Sequence, residues 1–295
     1  MSRIRPGAWA AALLLALVTG ITASAGPASA QPSIQALPSP LRFTSSLDLE
    51  CFRTNPYMPP TTTVVTRHLN PVLANLPQEA HTLGLREKLC VPVAKNNMIP
   101  PAGVLEFVRF VDLSCYRITG TTVGFPLNLR HLNPLFQTLP PRNVVIQYPQ
   151  HLCVPVIKNG LVPPAEILNL VRYIDLKCYF ETPQAPLNIG VQLTHLNPVL
   201  GGLAPHAAGI TFNRQLCVPV QKNNQPIPAA TLNIIRWVDL EMFDIQTAPL
   251  ANPFTLQIRH INPSLGQLPP ETVVIQQAFQ LGLPMAKNGL IPPTA

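Results

Sequence analysis

The sequence predicts an all-β protein made of four tandem copies of one unit, on three observations. Landmark motifs recur in constant order at a period of about 64 residues. The segments between them are short and rich in β-branched or apolar residues, as in Phe125 to His131 and Asn143 to Gln147. Those segments end at Asn-Pro, Pro-Pro and Asn-Gly turn signals.

The first landmark is Asp-Leu-x-Cys followed by an aromatic residue. It runs Asp48 to Phe52, Asp112 to Tyr116 and Asp175 to Tyr179, then Asp239 to Phe243 with Met242 in the cysteine's place. The second is His-Leu/Ile-Asn-Pro, beginning at His68, His131, His195 and His260. The third is Leu-Cys-Val-Pro-Val with a following Lys-Asn, at Leu89 to Asn96, Leu152 to Asn159 and Leu216 to Asn223. In the fourth copy it survives as Leu281 to Asn288 with Gly282 for the cysteine. The units are read as 31–104, 105–167, 168–231 and 232–295, the last a cysteine-free cap. About four strands per unit are expected, arranged as small sandwich or barrel modules, with a closed four-bladed propeller as the alternative. Pro164 to Arg172 has helical spacing behind a proline and reads as one or two helical turns.

Residues 1–30 read as a secretory signal peptide. Arg3 and Arg5 supply the positive start, Ala8 to Val18 the apolar run, and Ala28-Ser29-Ala30 the cleavage site. The run is shorter than the ~20 residues of a spanning helix, so the mature form is expected to be secreted, without a membrane span. The chain's formal charge of +7 falls by two when those arginines leave. Charged residues are 11% of the chain, against about 25% in an ordinary soluble domain. The basic residues are spread along the chain, without the clustered face a nucleic-acid partner requires. The 36 prolines recur at fixed places in apolar segments and punctuate strands.

Each of the first three units has two cysteines, and the fourth has lost both. Joint loss is what a bond within the unit predicts, so the pairs expected in an oxidising compartment are Cys51–Cys90, Cys115–Cys153 and Cys178–Cys217. A zinc site built from cysteines and histidine is disfavoured, because close Cys-x-x-Cys pairs are missing and His260 persists where both cysteines are gone.

Cys-Tyr, then a turn, then Leu-Cys-x-Pro-Val-x-Lys-Asn, as in Cys115-Tyr116 with Leu152 to Asn159, resembles a repeat family of secreted bacterial proteins catalogued as a domain of unknown function. The family often carries an acidic Asp-Gln-Phe-like turn where this chain has His-Leu-Asn-Pro. The resemblance implies export, β structure and disulfides, and no activity.

Two residue sets repeat in every copy. The histidines His68, His131, His195 and His260 read as turn residues whose rings cap the backbone at Asn-Pro, in preference to general bases. Lys95, Lys158, Lys222 and Lys287 precede turn asparagines suited to positive φ and read as solvated. With Arg109, Arg172 and Arg236 they could form a basic stripe if the units stack. No Gly-x-Ser-x-Gly, His-Glu-x-x-His or phosphate-binding glycine loop occurs. No catalytic residue, metal or cofactor is therefore assigned. The expected function is a non-catalytic secreted module associated with an anionic envelope or extracellular polymer. The alternative is a secreted hydrolase with a His/Asp site where units meet.

Overall fold

The computed structural model describes residues 36–294; the signal-peptide reading lies outside them. In the first unit a helical turn α1 (Pro40–Ser45) leads into β1 (Leu49–Tyr57), then the hairpin β2 (Thr63–His68) and β3 (Glu79–Thr82), then β4 (Arg86–Lys95). The second has α2 (Leu105–Val108), β5 (Leu113–Arg117), β6 (Phe125–His131) and one long strand β7 (Arg142–Lys158) in place of the last two. The third follows as α3 (Ala165–Val171), β8 (Leu176–Thr182), β9 (Pro186–His195) and β10 (His206–Lys222). The fourth is α4 (Ala229–Ile235), β11 (Leu240–Thr247), β12 (Phe254–His260) and β13 (Glu271–Lys287). The helical spacing behind Pro164 is α3. The read boundaries at 167/168 and 231/232 pass through α3 and α4.

The eight strands carrying the cysteine positions pair in the order β1, β4, β5, β7, β8, β10, β11, β13, and β13 pairs back to β1. The antiparallel wall closes on itself, and closure removes free edges. Within a unit cysteine faces cysteine. Between units Lys88 faces Cys115, His151 faces Cys178, Gln215 faces Met242 and Gln280 faces Cys51. A closed wall of eight strands is just wide enough for side chains to fill.

The all-β expectation holds, but the finer picture of separate modules or propeller blades gives way to a sheet shared by all four units. A unit of this length buries too little surface alone, and sharing one wall lets each strand bury both faces. The fourth unit is not a cap, since β13 lies between β11 and β1 and closes the ring.

Alternation along the strands divides the core. Leu49, Cys51, Leu113, Cys115 and their equivalents pack with Phe43, Phe107, Leu170 and Ile234 of the four helices, which plug one end. Phe52, Tyr116, Tyr179 and Phe243 face the other way, beneath the hairpins. Each hairpin covers the unit two places away: β2 pairs with the end of β10, β9 with β4, β6 with β13 and β12 with β7. The proline of Cys-Val-Pro-Val marks this exchange of neighbours. Pro92, Pro155, Pro219 and Pro284 accept bonds at their carbonyls from Leu196, Ile261, Leu69 and Leu132 of the diagonal units. Proline lacks the N–H of a regular ladder, and here the strand changes partners at that residue.

The expected disulfides Cys51–Cys90, Cys115–Cys153 and Cys178–Cys217 are formed, each between residues directly opposite in register. They fit an oxidising environment. Among the described residues no helix is long and apolar enough to cross a membrane.

Candidate binding site

The repeated motif residues are structural, and the lysines correct the sequence reading. Lys95, Lys158, Lys222 and Lys287 are buried and ion-paired with Asp48, Asp112, Asp175 and Asp239 of their own units. They are neither solvated nor a surface stripe. Burial pushes the four carboxyls up, Asp239 to about 6, and the lysines down, with each partner pulling back. Each aspartate also accepts from the Asn of a neighbouring unit's His-x-Asn-Pro, at 2.8–3.0 Å: Asn70 to Asp239, Asn197 to Asp112 and Asn262 to Asp175 at the oxygen the lysine leaves free, and Asn133 to the same Asp48 oxygen that Lys95 holds. Such pairs are costly to break once buried. The asparagine after each lysine has the positive φ expected of it. Its side-chain and backbone atoms together clamp one residue of the diagonal hairpin, as Asn96 does Gln192. Arg109, Arg172 and Arg236 follow α2, α3 and α4, half-buried over Phe110, Tyr173 and Trp237.

The histidines do not cap the turn; the asparagine two residues on does so, accepting from a backbone N–H. Each ring instead packs on the aromatic residue after the cysteine position of the diagonal unit: His68 on Tyr179, His131 on Phe243, His195 on Phe52 and His260 on Tyr116. The tyrosines share 2.9 Å hydrogen bonds with His68 and His260. Burial lowers His68 to about 3 and His131 to about 4. Among the described residues no aspartate is hydrogen-bonded to a histidine.

Chemical individuality enters where equivalent positions differ. At each diagonal junction the x of Leu-x-Cys meets the residue that opens the strand after the His-x-Asn-Pro turn. The pairs are Glu50 with His206 at 2.8 Å, Lys177 with Glu79 at 2.7 Å, and Glu241 with Arg142. At the fourth, Glu271 holds Tyr116 at 2.6 Å and Arg86 beside Ser114. Each junction therefore has its own charge pairing, which keeps the units from exchanging places. The Glu50 junction also holds His195 and opens on a pocket of about 470 Å³.

A second set of divergent positions lines the wall at the end away from the helices. Two residues before each second cysteine position stand Lys88, His151, Gln215 and Gln280, all at least largely buried. Lys88 Nζ donates to Gln215 Oε1 at 3.0 Å and Gln280 Oε1 at 2.7 Å. Gln215 Nε2 reaches His151 Nδ1 at 2.9 Å. Burial drives Lys88 down to about 7 and His151 to about 4. Above this layer lie three pockets of about 440, 450 and 370 Å³. Their walls hold Arg53, Arg117 and Arg214 together with the aromatics Tyr148, Phe212 and Phe279, and only Glu87 and Asp244 are acidic. Arg53 lies over the Phe279 ring at 4.3 Å.

The local signal for this mouth is present in the sequence: four equivalent positions held by three residue types, Lys88, His151 and the pair Gln215 and Gln280. Comparison with protein-family models, curated proteins and solved structures finds no match to this chain.

Proposed function

We propose that the protein is a non-catalytic, exported binding module that takes an anionic group of an envelope or extracellular polymer into the open mouth of its closed sheet. The observation that carries this reading is Lys88. It is a buried amine, brought down to about 7 by burial, that is bonded to two amides and to no carboxylate, beneath a rim with three arginines, of which Arg117 and Arg214 are paired with Glu87 and Asp244. A buried charge without a counter-ion is costly. An entering carboxylate or phosphate restores the balance, and the rim aromatics supply apolar contact to the rest of the polymer.

Co-sedimentation of the oxidised protein with isolated envelopes across a salt series tests it. Binding should weaken as salt rises and fall further in Arg53→Glu/Arg117→Glu, whose side chains are exposed and can be replaced without disturbing the core. Absence of binding at any salt removes the reading.

One observation favours a second reading, a hydrolase at a junction between units. Glu50 and His206 are hydrogen-bonded across the first and third units beside a pocket. Hydrolytic turnover lost in His206→Gln would support it.

A further inference from the structure

We propose that Glu50, His195 and His206 form a binding site for a divalent transition cation of the zinc class, with its open coordination position turned to the adjoining pocket. The carboxylate and the two imidazoles offer ligand atoms that all lie within 4.8 Å of one another. Two imidazole nitrogens and one carboxylate oxygen are a donor set that zinc takes in open, three-ligand sites.

Unsatisfied atoms point to the same place. Glu50 Oε2 and His195 Nε2 stand 3.6 Å apart, and neither has a hydrogen-bond partner. Glu50 is fully buried and His195 is 8% exposed. Buried polar atoms are nearly always partnered, and a cation shared between these two would satisfy both. Ligand bonds of about 2.0–2.1 Å in a tetrahedron put neighbouring donors about 3.4 Å apart, close to the gap observed. His206 Nε2 lies 2.8 Å from the other carboxylate oxygen, Oε1, so both imidazoles face the one carboxylate, and a small turn of that group brings a single oxygen between them.

The sister junctions act as an internal control. There Glu79 is met by Lys177, Glu241 by Arg142 and Glu271 by Arg86. In each the protein supplies a permanent cation to the acid. At Glu50 the corresponding partners are imidazoles alone; burial pushes its carboxyl up, so the site is balanced by a proton on Glu50 or His206, or by a metal ion. His195 and His206 line the pocket of about 470 Å³ beside Leu203, Leu250 and Phe254, which leaves room for water or a ligand on the ion. The site lies apart from Lys88 and does not depend on the anion-binding reading.

The test uses the purified, oxidised, metal-free chain, titrated with Zn²⁺ by calorimetry and with Co²⁺ by visible absorption. One cation per chain and a Co²⁺ spectrum of low coordination number are expected. Glu50→Gln and His206→Gln should each weaken binding by more than the roughly 10–100-fold that loss of an outer-shell partner costs. His131→Phe, at a sister junction, should leave it unchanged. No 1:1 binding by the unmodified chain at millimolar Zn²⁺ overturns the proposal. So does full affinity in His206→Gln, a half-buried position whose replacement keeps the test decisive even if Glu50→Gln does not fold.

Discussion

In the second unit Cys115 and Cys153 face each other across β5 and β7, their Cα atoms 3.9 Å apart, and are bonded. In the fourth, Met242 and Gly282 hold the same register across β11 and β13. A Cβ at 282 would lie 2.8 Å from Met242 Sδ, so one thioether occupies the space that two cysteine side chains fill elsewhere. Closure of the wall thus requires sulfur-sized filling at this level and not a covalent bond. The bond acts chiefly on the unfolded chain. The fourth unit is held by packing, with β11 along β10 and β13 along β1.

The largest effect should come from what the two units share. Lys158→Met and Lys287→Met each leave a buried aspartate unpaired and should cost about 3–5 kcal/mol in urea unfolding. A much greater loss for Lys287→Met would mean that the second unit's disulfide props up its ion pair. Next, Cys115→Ala/Cys153→Ala should lose about 4 kcal/mol, the chain-entropy value for a loop of this length. Met242→Cys/Gly282→Cys should gain up to the same amount under oxidising conditions. If the second unit loses nothing when its bond is removed, packing alone accounts for both.

A smaller effect isolates the packing. Gly282→Ala drives a methyl group into Met242 and should cost about 1–3 kcal/mol. Adding Met242→Ala should recover part of that loss, and no recovery would place the strain elsewhere. The smallest effect depends on pH. His131 lies beneath the fourth unit's Phe243, with its pKa lowered to about 4 by burial and then by Arg142 and Lys95. Because the folded pKa is below the unfolded value of about 6.5, this ring's contribution is complete above that value. It is lost as pH falls toward 4. His131→Phe should therefore gain about 2 kcal/mol relative to the unmodified chain between pH 7 and pH 5. Measuring the difference cancels the other titrations, including Asp239, whose raised pKa acts in the opposite direction. A difference that stays flat with pH would show that the ring is already charged in the folded protein.

Much of the local structure was legible. Joint loss of Cys at 242 and 282 pointed to bonds within units, which are formed. Asn-Gly at 159 and 288 pointed to positive φ, which both asparagines adopt. These features depend on neighbours close in sequence or on one pairing inside a unit. The lysines were misread because their flanks look like exposed turns, while their burial comes from a hairpin two units away. The Lys88 layer is not legible in the recurring motifs, because it consists of equivalent positions whose residues differ between units. Glu50 and His206 are 156 residues apart in the chain, and no local pattern joins them.

By itself the sequence determined the period, the β character, the turn residues and the cysteine pairs, because these follow from local backbone preference and from what copies keep or lose together. Only the tertiary structure decided that the wall closes, that hairpins cross to the diagonal unit, that four lysines and Lys88 go inside, and that His206 lines a cavity beside the buried Glu50. A repeat states what its copies have in common, and its copies could stack, ring or interleave with the same local pattern. Which of these occurs depends on where each unit can bury its second face and match its charge, and that is a property of all four together.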